Sequence, residues 1–183
     1  MLVAKDLVGD EPFAVILSDD IIDADVPCLQ QMIAIYERYK CSVLAVERVS
    51  REDISNYGVI EARPLEGRLH QVLNLIEKPS LDEAPSDLGI VGRYILTPEI
   101  FKMLEQVTPD KRGEIQLTNG LRLLLQHQAI YAYEFEGRRY DAGSKIGFLK
   151  ATVEYALKRP DLGPEFRAYL KSLNVAEKGQ TTA

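Results

Sequence analysis

The sequence lacks the features that mark membrane, secreted and nucleic-acid-binding proteins. No apolar run approaches the ~20 residues that span a bilayer, and residues 1–6 lack the charged-then-apolar layout of a signal peptide. No Asn-x-Ser/Thr glycosylation acceptor occurs. The 22 Lys and Arg are outnumbered by 28 Asp and Glu, and this net charge of −6 argues against an extended nucleic-acid footprint. We therefore expect a cytoplasmic protein without membrane or nucleic-acid partners.

Cysteine and histidine are also scarce. The two cysteines, Cys28 and Cys41, match no metal-ligand spacing and flank a predicted helix, so we interpret them as core thiols. The two histidines, His70 and His127, have no obvious catalytic partner in the sequence. The net charge of −6 further implies that any phosphate that the protein binds must be held locally by a few side chains, by backbone amides or by a bridging cation.

The composition and the order of the apolar segments predict an α/β fold. With 46% hydrophobic and 27% charged residues, we expect one domain over residues 1–183, with a frayed polar tail at 174–183. Continuous apolar runs at 13–17 and 42–46 predict strands buried on both faces, and the helical pattern between them predicts a βαβ unit. The expected sheet is Rossmann-like and mixed, mainly parallel, and flanked by helices.

The first predicted strand comes unusually soon after Met1. A buried strand needs neighbours, and little sequence precedes this one. We therefore hypothesise that the fold is incomplete at its N-terminus and that the chain is a piece of a longer protein.

Two acids, Asp19 and Asp20, end the first apolar run. Ligands of open α/β sheets bind beyond the carboxyl ends of the strands, and Mg²⁺ prefers oxygen ligands. These positions therefore favour metal ligation, although a solvated loop acid would have the same sequence.

A second charged pair, Glu77-Lys78, follows the apolar run 72–76. Lysine is a compact cation suited to a phosphate, and a carboxylate can accept two hydrogen bonds from sugar hydroxyls. The alternative is an exposed ion pair of little consequence. Gly58 and Gly92 lie in predicted strands, where the missing Cβ permits close approach of a ligand or simply a bulge.

A third acid, Asp141, precedes a predicted helix over 145–158 that Ser144 can cap. Phosphate and metal-phosphate groups often bind at helix N-termini. An acid there also interacts favourably with the helix dipole without any ligand, so both interpretations stay open.

Together these motifs resemble the bacterial UDP-glucose pyrophosphorylases of the sugar-nucleotidyltransferase superfamily, over about Asp6 to Leu173. The segments that carry the resemblance are Phe13–Asp20, Asn56–Val59, Glu77–Pro79, Val91–Tyr94, Gly113–Thr118 and Tyr140–Lys145.

The resemblance implies a nucleotide-diphospho-sugar transferase fold, UTP and glucose 1-phosphate as substrates, and a homo-oligomer. It implies that Asp19 and Asp141 hold Mg²⁺ and that these acids, with Lys78, are catalytic. It further implies that Glu77 binds sugar hydroxyls, that Lys78 binds the sugar phosphate, and that backbone near Gly58 and Gly92 lines the hexose pocket. Asp20 is secondary, because family members often have another residue there.

One family motif is missing. Members begin with a glycine-rich Gly-x-Gly-Thr-Arg-type loop that cradles the triphosphate, and nothing like it occurs here. We therefore expect that this chain alone does not form UDP-glucose. Two alternatives stay open: a metal-dependent nucleotide-sugar glycosyltransferase, in which Asp19-Asp20 would bind metal-diphosphate, and a non-catalytic sugar-phosphate-binding or assembly fragment.

Overall fold

The computed structural model describes residues 1–173, so the predicted tail at 174–183 lies outside the described residues. Short 3₁₀ turns occur at Leu2–Ala4 and Ile54–Asn56. The helices are α1 (Lys5–Val8), α2 (Cys28–Tyr39), α3 (Glu99–Leu104), α4 (Leu117–Leu124), α5 (Lys145–Lys158) and α6 (Gly163–Ser172). The strands are β1 (Phe13–Ile16), β2 (Asp20–Asp23), β3 (Ser42–Arg48), β4 (Gly58–Glu66), β5 (Leu69–Glu77), β6 (Leu88–Leu96), β7 (Ile130–Glu134) and β8 (Arg138–Asp141).

A six-stranded sheet of order β1-β6-β3-β7-β5-β4 organises the fold. Strand β3 pairs in parallel with β7, and the other strand pairs of this sheet are antiparallel. The predicted mixed sheet with flanking helices is confirmed, but its parallel share is smaller than expected. The reason is β6, which inserts between β1 and β3 and runs against both, so the two strands of the expected βαβ unit are parallel but not adjacent.

The predicted burial of the two apolar runs is confirmed for one of them. Residues 42–46 of β3 are all buried, as a central strand requires. Strand β1 lies at the sheet edge with alternating exposure, and Ile16 is 56% exposed, so the prediction that β1 is buried on both faces was wrong. A continuous apolar run does not by itself distinguish an edge strand from a central one.

Two hydrophobic clusters pack on the sheet. The larger contains apolar side chains of α3 and α4 with those of β3 to β7, and the smaller contains Cys28 and Met32 of α2 against Val43, Val91 and Ile95. Cys28 is therefore a core thiol as predicted, and Cys41 is half-buried. His70 does have a partner: its Nε2 lies 2.7 Å from Glu134 Oε1, across the β5–β7 pair.

The chain divides into two compact units, Met1–Arg139 and Tyr140–Ala183. The first contains the six-stranded sheet and ends within β8, which forms a two-stranded sheet with β2. The second contains α5 and α6, which pack together. The expectation of one domain stays a prediction, because compactness alone does not define an independently folding part. Within residues 1–173, no helix has both the length and the apolar character needed to cross a membrane.

Candidate functional site

Three segments of the first unit meet around Glu77. Gly58 begins β4 directly opposite Glu77 at the end of β5, and Thr118 of α4 donates a hydrogen bond to Glu77 Oε2 at 2.6 Å. A Cβ atom at Gly58 would lie 3.1 Å from Thr118 Oγ1 and 3.3 Å from Glu77 Oε2, which is tighter than ordinary packing. Glycine at 58 therefore leaves room for an oriented carboxylate. We call Tyr57, Gly58, Glu77, Lys78 and Thr118 the Glu77 cluster.

Lys78 has an unusual backbone conformation. Its φ is +45°, a left-handed value that few residues other than glycine adopt, and its N–H donates to Tyr57 O at 3.0 Å. Such conformations cluster at ligand sites, where the surrounding structure maintains them. The Lys78 side chain is exposed, while the following Pro79 is buried. The chain therefore turns out of the strand at Lys78 and leaves its ammonium group free to approach an anion.

A second cluster forms around Asp20, which is buried at the start of β2. Asp20 Oδ2 accepts the Gly92 N–H at 2.6 Å, and Oδ1 forms an ion pair with Arg139. A Cβ atom at Gly92 would lie 2.5 Å from Asp20 Oδ2, so glycine is needed for this contact. Arg93 donates to the carbonyl oxygens of Asp20 and of Leu17, which keeps the turn between them in place. We call Leu17, Asp20, Gly92 and Arg93 the Asp20 cluster.

The neighbouring Asp19 differs from Asp20 in its surroundings. Asp19 is exposed, and no side-chain hydrogen bond or ion pair with residues 1–173 engages its carboxylate. Of the two acids, Asp19 is the one whose oxygens are accessible to a ligand, whereas Asp20 binds protein groups.

Arg139 connects the two clusters. Its side chain is only 11% exposed, and Nη1 donates to Glu47 Oε1 and to Tyr57 Oη, each at 2.8 Å. Its Cζ lies 5.2 Å from the centre of the Tyr57 ring. Burial lowers the pKa of the Arg139 guanidinium. The hydrogen bond to Tyr57 and the carboxylates of Asp20 and Glu47 raise it by a larger amount, so the pKa lies above its ordinary value. The guanidinium is therefore a permanent cation.

Burial and the neighbouring charges also shift the pKa values of two further side chains, Glu47 and Tyr94. Burial raises the pKa of the Glu47 carboxyl, and the ion pair with Arg139 opposes that effect in part. Burial also raises the pKa of the Tyr94 phenol, to which the charges of Asp20 and of Glu77 add. One buried phenol thus lies within electrostatic range of the central acid of each cluster.

Asp141 lies in the second unit, immediately before α5. Its Oδ1 accepts the Gly143 N–H at 3.0 Å, and its carbonyl oxygen accepts a hydrogen bond from Ser144 Oγ at 3.0 Å. Ser144 Oγ in turn caps the helix by accepting the Gly147 N–H at 3.1 Å, as predicted. A Cβ atom at Gly147 would overlap the Asp141 carbonyl oxygen, so this turn requires glycine.

The structure brings part of the predicted site together. Gly58, Glu77 and Lys78 are neighbours in the Glu77 cluster, and Gly92 lies in the Asp20 cluster, beside the turn that carries Asp19. The convergence of Asp19 and Asp141 on one cation stays a prediction. Within residues 1–173, no three His, Cys, Asp or Glu side chains form a group that could hold a metal by themselves.

Sequence reasoning missed Thr118, Glu47 and Arg139. Thr118 closes the Gly113–Thr118 motif and Arg139 immediately precedes the Tyr140–Lys145 motif, so adjacency to a motif was the available signal. Glu47 had no such signal, because it lies 92 positions from Arg139 in the sequence and only the tertiary fold brings the two side chains together.

The chain is similar over most of its length to curated proteins. The chain is 45% identical over 172 residues to a UTP–glucose-1-phosphate uridylyltransferase of Staphylococcus epidermidis, which covers 94% of this chain and 60% of that protein. It is 44% identical over 170 residues to the enzyme of the same name from Bacillus subtilis, covering 93% and 58%. The chain thus spans about 60% of the length of these relatives.

Solved structures match the fold. A UDP-glucose pyrophosphorylase complexed with UDP-glucose superposes with a TM-score of 0.82 at 44% identity, covering 86% of this chain and 61% of that one. A UTP-bound UGPase from Acinetobacter baumannii superposes with a TM-score of 0.83 at 35% identity, covering 94% and 60%. The family model described as nucleotidyl transferase matches residues 1–158. Because that match extends over most of the chain, the protein belongs to the nucleotidyl transferase family.

Proposed function

We propose that this chain forms the glucose 1-phosphate-binding part of a UTP–glucose-1-phosphate uridylyltransferase. The observation that carries the proposal is the Glu77 cluster. There the oriented carboxylate of Glu77 and the exposed Lys78 lie beside Gly58, which has no side chain to crowd the carboxylate. This arrangement suits a ligand with both hydroxyl groups and a phosphate. The relatives named for this reaction, at 44–45% identity, support the same assignment.

The proposed reaction joins two phosphorylated substrates. A phosphate oxygen of glucose 1-phosphate attacks the α-phosphorus of UTP, and the bond between that phosphorus and the α–β bridging oxygen breaks. Pyrophosphate leaves with the electron pair, and UDP-glucose forms. Since anions must approach each other, catalysis depends on alignment and on neutralisation of charge rather than on a covalent enzyme intermediate.

Each residue of the site has a role in this proposal. Lys78 offsets the charge of the sugar phosphate. Thr118 donates one hydrogen bond to the Glu77 carboxylate, and the remaining acceptor positions of Glu77 accept hydrogen bonds from two sugar hydroxyls. The backbone at Gly58 and Gly92 lines the hexose pocket. Lys78, Asp19 and Asp141 are the proposed catalytic groups.

We further propose Mg²⁺ as the cofactor, held by Asp19 and Asp141. The donor types fit this ion, because both residues offer exposed carboxylate oxygens, and Mg²⁺ usually takes one or two carboxylates together with substrate phosphates. A site that needs only two protein ligands is also compatible with residues 1–173, where no larger ligand group occurs. When bound, the ion would neutralise phosphate charge during the transfer.

We also propose that the chain assembles into a homo-oligomer in the cytoplasm. Helices α5 and α6 of the second unit, with the turn between them, leave several large apolar side chains exposed: Ile146, Phe148, Leu149, Leu162 and Tyr169. Exposed apolar residues in one segment are typical of interaction surfaces. Light scattering on the purified chain tests this, and a mass of 20.6 kDa would contradict it.

The glycosyltransferase alternative is less well supported. It requires Asp19 and Asp20 as a pair of metal-diphosphate ligands, but Asp20 is buried against Gly92 and Arg139. A crystal soaked with UDP-glucose distinguishes the two functions: the proposal expects the sugar next to Glu77 and Lys78, and a sugar elsewhere favours the alternative.

Calorimetric titration with glucose 1-phosphate tests the proposed function directly. We expect saturable binding that Lys78→Ala weakens by about tenfold or more, the effect of losing a charge-assisted contact. The matched control is Lys102→Ala, which removes an exposed lysine of α3 outside both clusters. Absence of binding, or equal binding by both variants, would contradict the proposal.

Turnover is a separate measurement. We expect no UDP-glucose from UTP and glucose 1-phosphate with this chain alone, and detection of UDP-glucose would refute that expectation. Binding without turnover is also what the non-catalytic alternative predicts. Restoration of turnover by a segment that carries a glycine-rich phosphate loop would favour the enzyme.

A further inference from the structure

Arg139 forms the shared contact between the two clusters of the first unit. Its guanidinium contacts Asp20 on one side, and Tyr57 and Glu47 on the other. At 11% exposure of its side chain, it is buried far more completely than Lys5, Arg48 and Arg159, the cations of three other ion pairs, which are 44–61% exposed. A buried cation is stable only when its hydrogen bonds are satisfied, and here Nε and Nη1 both have partners.

On one side, the contact with Asp20 reaches the turn that carries Asp19. Arg139 binds Asp20 Oδ1, which leaves Oδ2 to accept the Gly92 N–H at 2.6 Å. Asp20 is therefore held between a side chain and a backbone amide. The preceding residue, Asp19, takes its position from this fixed point.

On the other side, the contact with Tyr57 reaches Lys78. The guanidinium lies over the Tyr57 ring at 5.2 Å and also donates to its hydroxyl group at 2.8 Å. The Tyr57 carbonyl oxygen accepts the Lys78 N–H at 3.0 Å, where the backbone has its left-handed conformation. Tyr57 also precedes Gly58, which lies opposite Glu77.

The chemistry of this contact needs arginine. A planar guanidinium offers several donors in fixed directions and can bond two carboxylates and a phenol while it stacks on a ring. A lysine ammonium has three donors on one atom and cannot occupy these separated positions together. The positive charge alone is thus insufficient.

We propose that Arg139 is a positioning residue that holds the Glu77 cluster and the Asp20 cluster at a fixed separation, so that a bound sugar phosphate meets both. This inference rests on the proposed function for the identity of the ligand. The coupling between the clusters is a property of the protein that can be measured without any ligand.

Amide hydrogen exchange in the complete chain measures that coupling. The two reporters are the Gly92 N–H, bonded to Asp20, and the Lys78 N–H, bonded to Tyr57. In Arg139→Lys we expect both amides to exchange at least about tenfold faster, since each loses the support of a fixed partner. The control Arg63→Lys alters an exposed arginine of β4 that bonds Gln71, and we expect neither reporter to change.

A second variant keeps the test decisive if Arg139→Lys does not fold. Tyr57→Phe removes only the hydroxyl group that Arg139 binds, and we expect faster exchange at Gly92 in the other cluster. The control Tyr169→Phe changes a half-exposed phenol of α6 and should leave Gly92 unchanged. Acceleration in only one cluster in Arg139→Lys, or no change at Gly92 in Tyr57→Phe, would overturn the proposal.

Titration of the same variants with glucose 1-phosphate connects the coupling to binding. We expect Arg139→Lys to bind at least about tenfold more weakly, with Arg63→Lys unchanged. Faster exchange together with unchanged affinity would overturn the positioning role. If the unaltered chain itself does not bind glucose 1-phosphate, the proposed function fails, and the exchange data still decide whether Arg139 couples the clusters.

Discussion

The substitution Gly92→Ala tests the close contact on which the Asp20 cluster depends. The added Cβ would lie 2.5 Å from Asp20 Oδ2 and 2.6 Å from Leu17 Cβ, distances at which a neighbour must move. Overpacking of this kind costs about 1–3 kcal/mol. Displacing Asp20 also breaks its hydrogen bond from the Gly92 N–H, and bonds to charged groups contribute about 1.5–3 kcal/mol.

Together these terms predict a loss of about 2.5–6 kcal/mol in the free energy of unfolding, a large fraction of the roughly 5–15 kcal/mol of a typical protein. With a urea m-value of about 2 kcal/mol/M, the unfolding midpoint should fall by about 2 M. Tyrosine fluorescence can follow the transition, since the chain has 9 Tyr and no Trp.

The control for this experiment is Gly67→Ala. Gly67 has a left-handed φ of +54° but open space around it, so alanine there introduces backbone strain of about 1–2 kcal/mol without a clash. If Gly92→Ala loses no more stability than Gly67→Ala, then Leu17 and Asp20 move aside at little cost. In that case the glycine is not required by the protein contact, and the reasoning is refuted.

Three further predictions concern the Glu77 cluster and the cysteines. Thr118→Val should weaken glucose 1-phosphate binding about tenfold in calorimetry, because Glu77 loses the hydroxyl that donates to it. The control is Thr152→Val, which changes an exposed threonine of α5. Equal affinity of the two variants would count against an oriented Glu77. Lys78→Ala should reduce the preference for glucose 1-phosphate over glucose, since only the former carries the phosphate; an unchanged ratio in competition titrations would argue against a phosphate contact. Burial raises the pKa of the Cys28 thiol to about 11, so the thiolate fraction of Cys28 at pH 8 is about 0.1%. Alkylation of the folded protein should therefore modify the half-buried Cys41 first. Rapid labelling of both cysteines in the folded protein would contradict that order.

Local features could be predicted from the sequence. Helix α5 runs from Lys145 to Lys158 with Ser144 as its cap, as the pattern of residues indicates, because a cap and an N-terminal turn involve only neighbours in the chain. The Glu77-Lys78 pair at the end of β5 was also predictable, since a charge after an apolar run marks a strand end. At Gly58 the sequence left close approach of a ligand and a simple bulge both open, and it did not predict that Thr118 and Glu77 are its close neighbours.

Features that depend on strand order were not predictable. The run 13–17 looks like a buried strand, but β1 lies at the edge of the sheet, because β6 is inserted between β1 and β3. The different environments of Asp19 and Asp20 have the same origin, since Asp20 accepts the N–H of Gly92 on the inserted strand β6. Which of two adjacent positions faces the core depends on the pairing of the strand with its neighbours.

The amino-acid order alone therefore determined which residues end the strands, where α5 begins and which chemical groups are available for a sugar phosphate, because these depend on neighbours within a few positions. Only the tertiary structure decided that Asp20 is a buried ion-pair partner rather than a free ligand, and that Arg139 joins it to Tyr57. Those contacts connect residues 82 and 119 positions apart, and no local pattern specifies pairings at such separations.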